Sequence, residues 1–143
     1  MRQFRASTSD VQRLRLARLR PTRQRLALAR ILFADRHRHV TAEQLYAEAL
    51  AQSVDVSLAT IYNTLNQFTR AGLLRELILS PGCSYFDTNT EDHHHFFFED
   101  GGSLVDIPSS DVVLRDLPPA PEGSVVSRVD VVIRLSGPQC SEV

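Results

Sequence analysis

The 143-residue chain is short of cysteine, contains no lysine and has no long apolar run. Its two cysteines, Cys83 and Cys140, lie far apart and in no CxxC pair. That argues against a disulfide framework and against a thiolate zinc site. No stretch reaches the roughly 18 consecutive apolar residues of a membrane helix, so no membrane partner is expected. The arginine-rich start lacks the apolar stretch of a secretory signal, and a cytoplasmic location is the expectation. Apolar residues make up 43% of the chain, enough to pack a core in one ordinary domain or two small ones.

Every basic residue is arginine, and the arginines are concentrated at one end. The first 38 residues hold eleven arginines against Asp10 and Asp35, a balance of +9. The remaining 105 hold five arginines against fifteen acids, a balance of −10, so the net charge of −1 hides two opposite halves. A basic segment on a neutral protein suggests a nucleic-acid face on one part only. The plainer alternative is a solvated arginine surface.

Residues 9 to about 72 read as helices, three of them clearly bounded. In "RPTRQRLALARILFA", Pro21 and the cap Thr22 open a helix whose apolar stripe is Leu26, Ala29, Ile31, Leu32 and Phe33. In "HVTAEQLYAEAL", Thr41 and Gln44 form a capping box, with Leu45, Ala49 and Leu50 as core. In "DVSLATIYNTLNQFTRAGLL", Ser57 is the N-cap and Gly72 the stop, and Leu58, Ile61, Leu65 and Phe68 share a face. The opposite face carries Ala59, Thr60, Asn63, Gln67 and Arg70, with Tyr62 on its flank. Amides pair with adenine edges and methyl or aromatic groups meet thymine, so this face suits a major groove.

After Gly72 the period shortens. "LLRELILS" and "CSYFDT" read as strands around a Pro81-Gly82 turn, and a helix-turn-helix followed by a hairpin is a winged helix. The expectation is an α+β chain. A winged helix-turn-helix DNA-binding domain occupies residues 1–88, and a small C-terminal α/β dimerisation domain occupies residues 89–143. In the second domain "HHHFFFEDGGSLVDI" reads as two strands around Gly101-Gly102. "PSSDVVLRDL" reads as a short helix capped by Ser109 or Ser110, and "SRVDVVIRL" as a strand. About 55 such residues bury little alone, which points to pairing with a second copy.

The run "EDHHHFFFEDGG" carries the site chemistry. On a strand, His93, His95 and Phe97 share one face, while His94, Phe96 and Phe98 take the other. Histidines at i and i+2 can hold one ion, with His39, Asp87 and Asp106 as further donors. Nitrogen and carboxylate ligands without thiolate suit Fe(II), Mn(II) or Zn(II). A neutral imidazole is equally an axial heme ligand, and such a run can also bind nothing.

"LRPTRQRLALARIL", "HVTAEQLYAEA", "VSLATIYNTLNQFTRAGLL" and "YFDT" followed by "HHH" resemble the ferric uptake regulator superfamily over roughly residues 18 to 107. "YFDTNTEDHHHFFFEDGGSLVDI" is most similar to its iron response regulator (Irr) branch, whose members sense iron through heme. The resemblance implies a homodimeric transcription regulator, not an enzyme, that binds AT-rich inverted repeats and controls iron and heme metabolism genes. It assigns a base contact to Tyr62 and a minor-groove contact to Arg20, with Arg23 and Arg25 in the same basic segment. It makes His39, Asp87, His93, His95 and Asp106 the regulatory metal set. Many relatives carry a CxxC for structural zinc where Phe98 and Gly101 stand here, so that zinc is expected to be absent. A second family metal site would need Asp92 and His94 with positions near Val113 and Val129, which offer no ligand. The Cys-Pro heme motif of some Irr proteins is also missing, since Pro21 follows Arg20. Heme would then fall to His94, with His93 and His95 beside it.

Three readings remain open from the sequence. In the first, an ion or heme alters DNA affinity by fixing how the two halves are held, with release when heme arrives. In the second, an orthodox Fe(II)- or Mn(II)-dependent or peroxide-sensing repressor binds DNA when metal is loaded. In the third, from another class, His93, His95 and Asp87 form the facial triad of a small metal enzyme.

Overall fold

Side-chain oxygens open three of the four helices of the first half in the computed structural model, which describes residues 8–34, 36–80 and 82–137. Thr22 accepts the Arg25 N–H at 3.2 Å ahead of α2 (Arg23–Phe33). Thr41 accepts the Gln44 N–H at 3.1 Å ahead of α3 (Ala42–Ala51). The Gln44 side chain returns the bond to the Thr41 N–H at 2.9 Å, completing the expected capping box. Ser57 opens α4 (Leu58–Arg70) by accepting the Thr60 N–H at 3.1 Å. Each bond satisfies an amide that the first helical turn leaves without a partner. The basic stretch ahead of these three forms a fourth helix, α1 (Thr8–Leu16), anchored by the fully buried Leu14.

The helix ends are as specific as the starts. Beyond α4, Gly72 takes φ +82, its N–H reaches the Thr69 carbonyl at 3.1 Å, and the Leu73 N–H reaches Phe68 at 2.9 Å. This paired closure needs a left-handed residue, which glycine supplies without strain. Arg18 (φ 59) and Ser53 (φ 57) hold the same position after α1 and α3 at the cost of a Cβ.

The core of the first unit joins Leu14, Leu28, Leu32, Leu45, Ile61, Leu65 and Phe68 to Val40 and Phe86 of the sheet. Leu50, expected in it, is 55% exposed. Ala42, Leu45 and Ala49 already fill the inward side of α3, and Leu50 lies about 100° further round. The sheet has order β1-β3-β2, made of β1 (His39–Val40), β2 (Arg75–Ser80) and β3 (Cys83–Asp87), all antiparallel. Gly82 (φ +76) sits in the β2–β3 turn, and the other expected turn residue, Pro81, lies outside the described residues.

The chain divides between Thr90 and Glu91. In the second unit β4 (His93–Phe98) is central, antiparallel to β5 (Ser103–Pro108) and parallel to β6 (Val132–Leu135). The expected helix at residues 108–117 is absent: only Ser109–Asp111 make a 3-10 turn, with no side-chain cap. Val112 and Val113 are β-branched, Pro118 and Pro119 follow closely, and Val112 is already extended at φ −120, ψ 120. The last strand is shorter than its alternating pattern suggested. It starts at Val132, while Arg128 folds onto Asp130 at 2.8 Å.

Candidate metal centre and nucleic-acid face

In the first unit the sheet register sets one pair of donors. Val40 lies opposite Phe86, and both side chains point into the helical core. Strand alternation therefore turns His39 and Asp87, the adjacent opposed pair, to the other face. Asp87 is only 2% exposed, lies between His39 on β1 and Arg75 on β2, and accepts the Asn89 N–H at 2.9 Å. Two bonds between Arg38 and Thr88, each 2.9 Å, tie the β1 entrance to the end of β3.

In the second unit β4 and β5 set three more. His95 is directly opposite Asp106, and His93 is diagonal to it on the same face. His93 Nε2 lies 3.6 Å and His95 Nε2 3.4 Å from the same Asp106 oxygen, with the two rings 4.5 Å apart. Ligands about 2.1 Å from one ion stand roughly 3.0 to 3.4 Å from each other in octahedral or tetrahedral geometry, so this spacing fits a shared ion. The His93 Nδ1 meets the Glu91 carbonyl at 2.6 Å. Donation of that N–H fixes the tautomer and leaves the Nε2 lone pair for a ligand. Both rings are buried, while the Asp106 side chain is 41% exposed.

His94 is differently used. Its Nδ1 accepts the Val131 N–H at 3.0 Å across to the β6 entrance, so a neutral ring carries its proton on Nε2. No local pattern signals this bond, because its partner is a main-chain amide 37 residues away.

The first unit also presents a polar groove of about 470 Å³. Arg20, Thr22, Gln24 and Arg25 line it on one side, and Thr60, Asn63, Thr64 and Gln67 of α4 on the other. Of the residues expected on the DNA face, Arg20, Arg23, Ser57, Ala59, Tyr62, Asn63 and Arg70 are exposed; Arg25, Thr60 and Gln67 are half-buried. Arg25 donates twice to the Gln67 side-chain oxygen, at 3.1 and 3.3 Å, and once to the Arg20 carbonyl at 3.0 Å. That oxygen is therefore held by Arg25, and Gln67 acts first as a brace between α2 and α4. The exposed Asn66 lies one turn beyond Tyr62 and Asn63, and helical spacing alone adds it to that face. Glu43 joins the face only through the fold. The Tyr62 hydroxyl donates to its carboxylate at 2.6 Å, which holds Glu43 below the usual carboxylate range and pushes the Tyr62 phenol up.

A model of the ferric uptake regulator family matches residues 17–118. The chain belongs to the ferric uptake regulator family. Among curated relatives, the peroxide-responsive repressor PerR of Staphylococcus aureus (strain Mu50 / ATCC 700699) is 38% identical over 97 residues. That match covers 68% of this chain and 65% of PerR, so it spans just under two thirds of the relative's length. The fold is that of the Pseudomonas aeruginosa ferric uptake regulator solved with manganese, with a TM-score of 0.71 at 24% identity over 91% of this chain and 98% of that one. The Vibrio cholerae ferric uptake regulator superposes with a TM-score of 0.70 at 23% identity, over 89% and 98% of the two chains.

Proposed function

We propose that this member of the family is a dimeric, sequence-specific DNA-binding transcription regulator whose affinity for DNA responds to a divalent transition metal. The observation that carries the reading is the donor arrangement. His39 and Asp87 are opposed on one sheet, and His93, His95 and Asp106 converge on another. All five are donors of the kind that suits Fe(II), Mn(II) or Zn(II), and His93, His95 and Asp106, the set with ligand spacing, would hold such an ion. The chain's own part is to preorganise the donors. The Val40–Phe86 pair aims His39 and Asp87, and the Glu91 carbonyl aims His93. A regulator rather than a metal enzyme is favoured by the polar groove along α4 and by the family itself.

For DNA, Arg23 and Arg70 supply phosphate contacts and Arg20 reaches the minor groove, while Ala59, Tyr62, Asn63 and Asn66 form the stripe that meets base edges. An AT-rich inverted repeat is the expected operator type, because two copies of α4 read two half-sites. A dimer is favoured by the second unit's surface. Val105, Val113, Leu114, Leu117, Val125, Val126, Val129 and Ile133 are all exposed there.

Two branches of this reading differ in their signal. The Irr-like branch rests on residues 85–107 and would release DNA when heme arrives. The His94 bond to Val131 disfavours that ring as a heme ligand, because Nε2 holds the proton. The peroxide-responsive branch is favoured by the PerR match and by Asp106 beside His93 and His95. One titration separates them: protein on a selected inverted-repeat duplex, with Fe(II), Mn(II), Zn(II) and heme added separately while DNA occupancy and the heme absorbance are followed. Metal-dependent occupancy lost in His93→Ala and His95→Ala supports the reading. Occupancy indifferent to every metal and to heme overturns it.

A further inference from the structure

The face that α2 and α4 offer to DNA contains no acidic residue of its own, since neither helix carries Asp or Glu. One carboxylate reaches it from elsewhere. Glu43, in the first turn of α3, accepts the Tyr62 hydroxyl at 2.6 Å. Tyr62 itself is 38% exposed and stands on the Ala59–Tyr62–Asn63–Asn66 stripe. The hydrogen bond ties the side chain that meets bases to a fixed negative charge beside the phosphates. Resting on the DNA-binding reading above, we propose that Glu43 is a specificity-determining residue, which positions Tyr62 and penalises DNA that approaches α4 without engaging it.

The physics gives Glu43 two opposed effects. As an acceptor it restricts the Tyr62 ring to one direction, which lowers the ordering cost of a specific contact. As a charge it repels every phosphate backbone that comes within about a Debye length, whatever the sequence. Correct operator recovers the second loss through the Tyr62 contact and other base contacts, and generic DNA does not. Discrimination arises as a difference between two affinities, one of which is deliberately lowered. The depressed Glu43 pKa keeps the charge present at neutral pH.

The test uses the full chain with and without Mn(II), in whichever state binds more tightly. Two duplexes serve as probes: an inverted repeat selected by the wild-type protein from an AT-rich randomised pool, and its scrambled counterpart. Glu43→Gln keeps an acceptor for Tyr62 and removes the charge. It is expected to tighten the scrambled duplex roughly three- to tenfold, the scale of one partly screened charge near a phosphate. The selected duplex should tighten less, the ratio between the two should fall, and the salt slope should steepen by up to about 0.9. Tyr62→Phe is expected to weaken the selected duplex alone, and Glu43→Gln to bring one tyrosine's ionisation to lower pH. A ratio and slope unchanged in Glu43→Gln, or equal weakening on both duplexes, overturns the role of Glu43 while DNA binding stands. Wild-type protein that binds neither duplex overturns both.

Discussion

Gly72 closes α4 at φ +82, and replacing it by alanine isolates one physical effect. A Cβ built there meets no heavy atom within 4 Å, so no steric clash enters. What remains is the left-handed backbone, which costs an L-residue about 1–2 kcal/mol. Alanine also stiffens the unfolded chain, which returns about 0.4–1 kcal/mol. The net expectation for Gly72→Ala is a loss of about 1 kcal/mol. The reverse change at Ser53, which holds the same position after α3 at φ 57, should recover about 0.5–1 kcal/mol. Urea unfolding followed by helical circular dichroism, at fixed protein concentration, reads both as midpoint shifts of about 0.3–1 M in opposite directions. A neutral Gly72→Ala, a loss above about 3 kcal/mol, or a destabilising Ser53→Gly would refute the backbone explanation.

Other changes probe different links. Thr41→Ala removes the cap of α3 and frees Gln44, so it should lose about 1 kcal/mol of stability, measured by the same urea midpoint. Gln67→Glu turns the Arg25 brace into an ion pair worth no more than about 1 kcal/mol to stability. It also neutralises Arg25 on the DNA face, so duplex affinity should fall, as read by fluorescence anisotropy across a salt series. Val126→Asp places a charge on the exposed apolar surface of the second unit, 58% exposed at that residue. Sedimentation should show a lower average mass for it than for the wild type at equal concentration, and an unchanged mass would remove that surface from the dimer interface.

The first half of the fold was legible because its signals are local. Thr22, Thr41, Ser57 and Gly72 act within four residues of themselves, and each closes or opens a helix as its chemistry dictates. The α4 stripe of Ile61, Leu65 and Phe68 was equally plain, because helical spacing repeats over three turns. Leu50 misled because an apolar residue at a helix end need not point inward, and three neighbours already filled that side.

The second half was harder, because its elements are short and depend on partners. The stretch after Pro108 holds paired valines and three prolines, and most of its apolar side chains find no partner within the chain, so neither α-helix nor strand forms before Val132. At the site, the His93–His95 spacing could be read directly, and the register places Asp106, already a candidate donor in the sequence, opposite His95. The uses of His94, Gln67 and Glu43 were hidden, because their partners lie 37, 42 and 19 residues away and are chosen by packing.

The most direct test of the regulatory claim is Mn(II) titration of wild-type, Asp87→Ala and His95→Ala proteins, with metal binding by calorimetry and duplex binding by anisotropy on the same samples. The prediction is that Mn(II) binding by the wild type is weakened in each variant, with the metal dependence of duplex binding lost in parallel. If both variants bind Mn(II) as the wild type does, or keep the metal-dependent duplex response, the proposed centre does not govern DNA binding.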